Sequence, residues 1–260
     1  MQHKEGFFKG LKDFKIYYQS WLPEQKPRAV LLIAHGYAEH SGRYMNVVNY
    51  FVPKGYSVYA LDHRGHGRSD GERVQVDSFH DYIVDLKSFF DMVRKENPGL
   101  KIFLVGHSMG SIIALLYTVE YQKELAGLIT SGSGLSRPGE PPMLPRKPGE
   151  ALNSSMISRD PAVIKAYDND PLVYRGPMPN HSGMRDGISQ LYDLVPQIKL
   201  PVFIMAGDGG RDGARSRVLL ERIGSKDKTG KFYTGLLHEI FNEPEHLMVL
   251  TDLEAWLKKH

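Results

Sequence analysis

The chain of 260 residues is 41% apolar and 24% charged, with a net charge of +3. This fits a single globular unit with a substantial core and excludes a disordered chain. Cysteine is absent, which excludes disulfides and thiolate metal sites and leaves oxygen or nitrogen as any nucleophile. Lysine and arginine form no long run, so nucleic-acid binding lacks electrostatic support. No segment approaches the roughly 18 apolar residues of a spanning helix, and the first ten residues carry no signal-like apolar stretch, so the expected location is the cytoplasm.

In chain order, strands are expected at 15–22 (KIYYQSWL), 29–36 (AVLLIAHG) and 56–62 (YSVYALD). Several of these runs are continuously apolar rather than alternating, as parallel strands covered on both faces require. A helix follows at 78–97, where Tyr82, Leu86, Phe89, Phe90 and Val93 form one apolar stripe. Next come a strand at 101–106, a helix at 109–122 that is apolar nearly all round, and a strand at 125–131. Residues 134–196 break this rhythm, with no convincing strand and a proline- and glycine-rich stretch at 136–150. A strand at 201–207, a helix at 214–224 capped by Gly224, a strand at 231–234 and a helix at 244–259 complete the chain. The expected fold is α/β, a doubly wound and mostly parallel sheet. Residues 1–133 and 197–260 form its core, and 134–196 an inserted cap.

Between the strand at 101–106 and the helix at 109–122 stands Gly106-His107-Ser108-Met109-Gly110. This is G-x-S-x-G in the strand-turn-helix context that gives the motif its meaning: a sharp turn exposes the serine oxygen, and side chains at the two glycine positions would collide with the neighbouring elements. The helix then points its N-terminal N–H groups at the place where negative charge develops. The loop 34–44 (AHGYAEHSGRY) follows the strand that ends near 33 and is expected to supply the second oxyanion donor. The amides of Tyr37 and Met109 are the expected pair. A serine needs a base, and the chain order serine, acid, histidine places that base late. His238, in the loop between the last strand and the last helix, is the choice over His246, which falls in a helical pattern.

With these stretches in view, the chain resembles the monoacylglycerol lipase and lysophospholipase group of serine α/β-hydrolases. The matching segments are HGYAEHSGRY, DHRGHGRSDGERVQVDSFHDYIVDL, GHSMGS, SRDPAVIKAYDNDPLVYRGP and DKTGKFYTGLLHEIFNEPE. The resemblance implies an acyl-enzyme mechanism on monoacylglycerols, with lysophospholipids and simple esters as competing substrates, and with no metal and no cofactor. It also implies a pocket for the glycerol head lined by Glu39, Arg43 and His107. The residues alone equally allow Glu39 and Arg43 to pair and hold their own loop. DHRGHGRSDG (62–71) reads as a structural turn rather than a metal site.

The triad acid departs from the group's pattern, because Gly210 occupies the position where an aspartate is expected. Asp208, nearest the strand end, is taken as the acid. Asp212, which reads as the N-cap of the next helix, is the alternative. A chain with no effective acid would be a lipid-binding pseudo-hydrolase. Met143, Leu144, Met156 and Ile157 are expected to wall an acyl chain or to pack a small cap, and brief contact with a lipid surface through that cap is expected.

Overall fold

The computed structural model describes residues 1–137, 139–140, 153–176, 179 and 182–260, the stretch 182–187 by its backbone. In chain order the elements are β1 (Gln2–Lys9), β2 (Lys15–Leu22), β3 (Ala29–Ala34), α1 (Met45–Phe51), β4 (Tyr56–Leu61), α2 (His80–Glu96), β5 (Lys101–His107), α3 (Met109–Tyr121), β6 (Gly127–Ser131), α4 (Pro161–Asn169), α5 (Ser182–Leu194), β7 (Val202–Gly207), α6 (Asp212–Arg222), β8 (Lys228–Tyr233) and α7 (His246–Leu257). They build one eight-stranded sheet in the order β1-β2-β4-β3-β5-β6-β7-β8. The pairs β1–β2 and β2–β4 are antiparallel, and every pair from β4–β3 to β7–β8 is parallel. This is the α/β-hydrolase arrangement.

The continuously apolar strands are explained by cores on both faces of the sheet. Val30 and Leu32 of β3 join α2 and α3 through Leu86, Phe89 and Ile113. Leu31 and Ile33 point the other way, toward Val47, Val48 and Phe51 of α1 and Val249 and Leu253 of α7. β1 lies outside the expected strands. Most of its residues are exposed and no apolar alternation marks it, so its strand form comes from pairing along β2. The helix expected at 214–224 begins at Asp212, and Ile223 rather than Gly224 stands at its C-cap.

In register, Ala34 lies beside Gly106, Gly106 beside Thr130, and Gly207 beside Tyr233. The loops at the carboxyl ends of β3, β5, β7 and β8 therefore open on one edge of the sheet, where open α/β sheets place their sites. The turn 62–71 supports this edge. Asp62 accepts from the amides of Ser41 and Arg68, both at 2.8 Å, and so ties the turn to the loop after β3. Arg64 is buried against Asp85, with two hydrogen bonds of 2.6 and 2.8 Å, and reaches Asp81 at 3.3 Å. Asp85 also accepts from the Leu11 amide at 2.8 Å. Asp85→Ala is expected to cost about 3–5 kcal/mol in urea unfolding, because it strands most of a buried guanidinium and a backbone N–H.

Candidate active site

Ser108 stands between β5 and α3 with φ 52° and ψ −118°, a left-handed backbone that is costly for a non-glycine residue and marks a built turn. The neighbouring glycines leave the space this turn needs. A Cβ on Gly106 would sit 2.5 Å from the Gly110 oxygen, and one on Gly110 would drive into the Ala34 carbonyl of β3. The Ser108 amide donates to the Ser131 carbonyl at the end of β6, at 2.8 Å. Its Cβ faces Gly36 across the gap to the loop after β3, 3.2 Å from where a Gly36 Cβ would lie.

His238 lies in the loop between β8 and α7, with its ring 4.8 Å from that of His107, the residue just before the serine. Its Nδ1 meets the Asp212 carboxylate at 2.7 Å. This corrects the expectation of Asp208 as its partner. Asp208 turns outward at the end of β7, where its carboxylate accepts from the Gly235 amide at 2.7 Å and from the Thr234 hydroxyl at 3.4 Å. The physical reason is the path of the loop. The Gly209 amide donates to the Leu236 carbonyl at 3.0 Å, which keeps Asp208 on the Gly235 side of that loop, and the first residue of α6 is the one that reaches His238. Asp212 therefore does not cap its helix as expected; the N-cap is Arg211, without a side-chain bond.

Electrostatics suit a proton relay. Burial depresses the basicity of His238, but the Asp212 carboxylate, aided by Glu239 and Glu39, outweighs it and raises the imidazole above its ordinary value. Burial lifts Asp212, while His238, by its charge and its hydrogen bond, pulls the carboxyl net below the usual range. His107 behaves differently. Burial, reinforced by the His238 charge, pushes it down to about 3, so it stays neutral beside the pair.

Glu39, Arg43 and His107 do come together beside the pair, but the first two are turned onto protein groups. Glu39 accepts from the Gly36 amide at 2.5 Å, the Tyr44 hydroxyl at 2.8 Å and Arg43 at 3.0 Å. Arg43 grips both oxygens of Glu239, at 2.5 and 2.8 Å, and lies over the Tyr167 ring at 4.6 Å. Burial raises Glu39 toward its neutral form, and the nearby Glu239 adds to that; Glu239, opposed by burial but held by Arg43, falls below the carboxylate range. Glu239 is absent from the residues expected at the site, although it directly follows the histidine in HEIFNE.

The segment after β6 closes on both loops. Tyr174 donates its amide to the Ala38 carbonyl at 2.9 Å, and Asp170 meets His40 at 2.8 Å. Across the site, the Glu239 amide donates to Ile157 at 2.7 Å, and Arg159 binds Glu243 at 2.9 Å. Of the expected acyl-wall residues, Ile157 is half-buried at this contact, Met156 is exposed, and Met143 and Leu144 lie outside the described residues. Among the described residues no cluster of histidine, aspartate and glutamate is arranged to hold a metal ion, and no helix is long and apolar enough to cross a membrane.

Residues 25–245 match the family model described as serine aminopeptidase, S33. The chain is 37% identical to a monoacylglycerol lipase of Mycolicibacterium smegmatis over 274 aligned positions, spanning 98% of this chain and 97% of that protein. It is 30% identical to the human monoglyceride lipase, over 94% of this chain and 87% of that one. The crystal structure of the Paleococcus ferrophilus monoacylglycerol lipase superposes with a TM-score of 0.79 at 28% identity, covering 93% of this chain and 98% of that one.

Proposed function

Because the chain belongs to the serine aminopeptidase S33 family of α/β-hydrolases and is a carboxylic ester hydrolase, we propose that it cleaves monoacylglycerols to fatty acid and glycerol. The observation that carries the mechanism is the His238–Asp212 pair at 2.7 Å beside the strained turn of Ser108. Ser108 attacks the ester carbonyl and His238 takes its proton. Asp212 holds the imidazole in the tautomer with Nδ1–H and stabilises the imidazolium that forms. The amides of Tyr37 and Met109 receive the oxyanion. His238 then protonates the departing glycerol oxygen and activates the water that clears the acyl-enzyme. The chemistry draws on these side chains and needs no metal or cofactor.

We place the glycerol on the side of His107, Glu39 and Arg43, next to the proton His238 must deliver. Glu39 and Arg43 are largely saturated by each other, Gly36, Tyr44 and Glu239, so they shape that side more than they grip it. We read 134–196 as the cap, since its described part bridges the loops after β3 and β8; it would receive the acyl chain and make brief contact with a lipid surface. We place the enzyme in the cytoplasm, a reading that cell fractionation tests. The pseudo-hydrolase alternative loses its motive, because Asp212 supplies the carboxylate that Gly210 lacks.

A fluorophosphonate probe is expected to modify Ser108, identified by the mass of its peptide, and to leave Ser108→Ala unmodified. Wild-type protein is expected to release glycerol from 1-monoacylglycerol faster than it clears lysophosphatidylcholine. A folded protein that never labels and releases no fatty acid would overturn the proposal.

A further inference from the structure

The oxyanion donor expected from Tyr37 depends on how one peptide plane is turned; one side chain outside the triad holds that plane, and a second holds the peptide before it. His35 is fully buried. The His63 amide donates to its Nε2 at 2.9 Å, which makes Nε2 an acceptor. Its remaining nitrogen, Nδ1, therefore carries the proton and donates to the Gly36 carbonyl at 2.7 Å. The ring stays singly protonated, because burial pushes it down to about 3. On the other side of the same residue, the Gly36 amide donates to Glu39 at 2.5 Å.

Sheet order gives the direction. β3 lies between β4 and β5. The His35 ring packs on His63 and His66 beyond the end of β4, with centroids at 4.4 and 5.3 Å. Ser108 follows β5, on the opposite flank. Among the described residues no peptide bond is cis, and in a planar trans peptide the C=O and the N–H point in opposite directions. A Gly36 carbonyl drawn toward β4 thus turns the Tyr37 N–H toward β5 and the serine. Ala38, the next residue, takes φ 66°, and Tyr174 fastens its carbonyl, so the strained turn is held on both sides.

We propose that His35 and Glu39 are positioning residues: His35 locks the Gly36–Tyr37 peptide with its N–H facing the Ser108 oxyanion site, and Glu39 anchors the peptide before it, so that Gly36 is held from both sides. This rests on the hydrolase reading above and deepens it. It also gives Glu39 a role that does not depend on a glycerol head.

The test measures His35→Leu, His35→Asn and Glu39→Leu on two substrates, a monoacylglycerol and p-nitrophenyl acetate, which has no glycerol. His35→Leu is expected to lower kcat at least tenfold on both, with the loss of one whole donor, about 10²–10³, as the ceiling. KM stays within about twofold, since the interaction is made in the transition state. Fluorophosphonate labelling slows in step. Asparagine at 35 presents an N–H near the position of Nδ1 and recovers most of the loss, and a crystal structure of His35→Leu shows the Gly36 carbonyl turned. A folded His35→Leu with wild-type kcat, or with the carbonyl unmoved, overturns the proposal. If His35→Leu does not fold, Glu39→Leu decides: equal loss on both substrates supports the lock, whereas a raised KM confined to the monoacylglycerol overturns it. An inactive wild type overturns the hydrolase reading, and the orientation of the Gly36 carbonyl in crystals of wild type and variant then tests the lock separately.

Discussion

Asp212→Asn is expected to lower kcat by about 10⁴, while Asp208→Asn leaves it within about twofold. The two aspartates lie four residues apart on one loop, and the bonds they make separate them. The Asp212 carboxylate bonds His238 Nδ1 at 2.7 Å. An amide there can turn its NH₂ to the ring, trapping the imidazole with its proton on Nε2, where it cannot accept from Ser108. The charge that stabilises the imidazolium is lost as well. Asp208 accepts from a backbone amide and a hydroxyl, and asparagine keeps an oxygen for that work. A second readout follows from the sign of the His238 shift. Asp212 raises the imidazole against the depression caused by burial, so its removal moves the acidic limb of kcat/KM to lower pH. The reverse result, a collapse with Asp208→Asn and near-normal turnover with Asp212→Asn, would show that the loop rearranges in solution and that Asp208 is the acid after all.

The reason the partner of His238 escapes sequence reading is informative about the rest. The turn that carries Ser108 and Met109 is legible because the strand, the two glycines and the helix are covalently next to one another, so local sterics alone set it. His238 is legible because the fold fixes the chain order. Choosing between Asp208 and Asp212 requires the path of a glycine-rich loop, Gly207 to Gly213, where the backbone has many accessible routes and no side chain at 210 records which is taken. Asp212 resembles a helix cap in sequence because a carboxylate is favourable in a first helical turn whether or not it also serves a histidine. The contacts of Glu239 and His35 are hidden for another reason. Their partners, Arg43 at a separation of 196 residues and a carbonyl one residue away, become visible after the strands are in register. β1 lacks any periodic signal, because an edge strand paired along one side need not bury a face.

Lowering the pH from 7.5 to 5.5 is expected to reduce the free energy of urea unfolding by about 4–6 kcal/mol. His35, His66 and His107 are buried and pushed down to about 3, and His63 is also held well below its ordinary value; burial is the main cause in each. The unfolded chain binds protons at these positions near pH 6.5 and the folded chain does not, so stability is fully present above 6.5 and is lost as pH falls toward 3. One pH unit below 6.5 each group contributes about 1.4 kcal/mol, and His238, shifted the opposite way, offsets part of the sum. The carboxylates held low, Asp212 and Glu239, add their loss at more acidic pH. His63 isolates the cause. Both of its ring nitrogens are buried without a hydrogen-bond partner, and its ring packs against Tyr82 at 5.5 Å. His63→Phe therefore removes one proton-binding site without breaking a side-chain hydrogen bond, and the backbone amide that holds His35 is kept. The variant is expected to match wild type near pH 8 and to exceed it by about 1.4 kcal/mol at pH 5.5, with one proton fewer in the slope of stability against pH. A wild type equally stable at both pH values, or a His63→Phe slope unchanged from wild type, would mean that these histidines reach water and titrate in the folded protein.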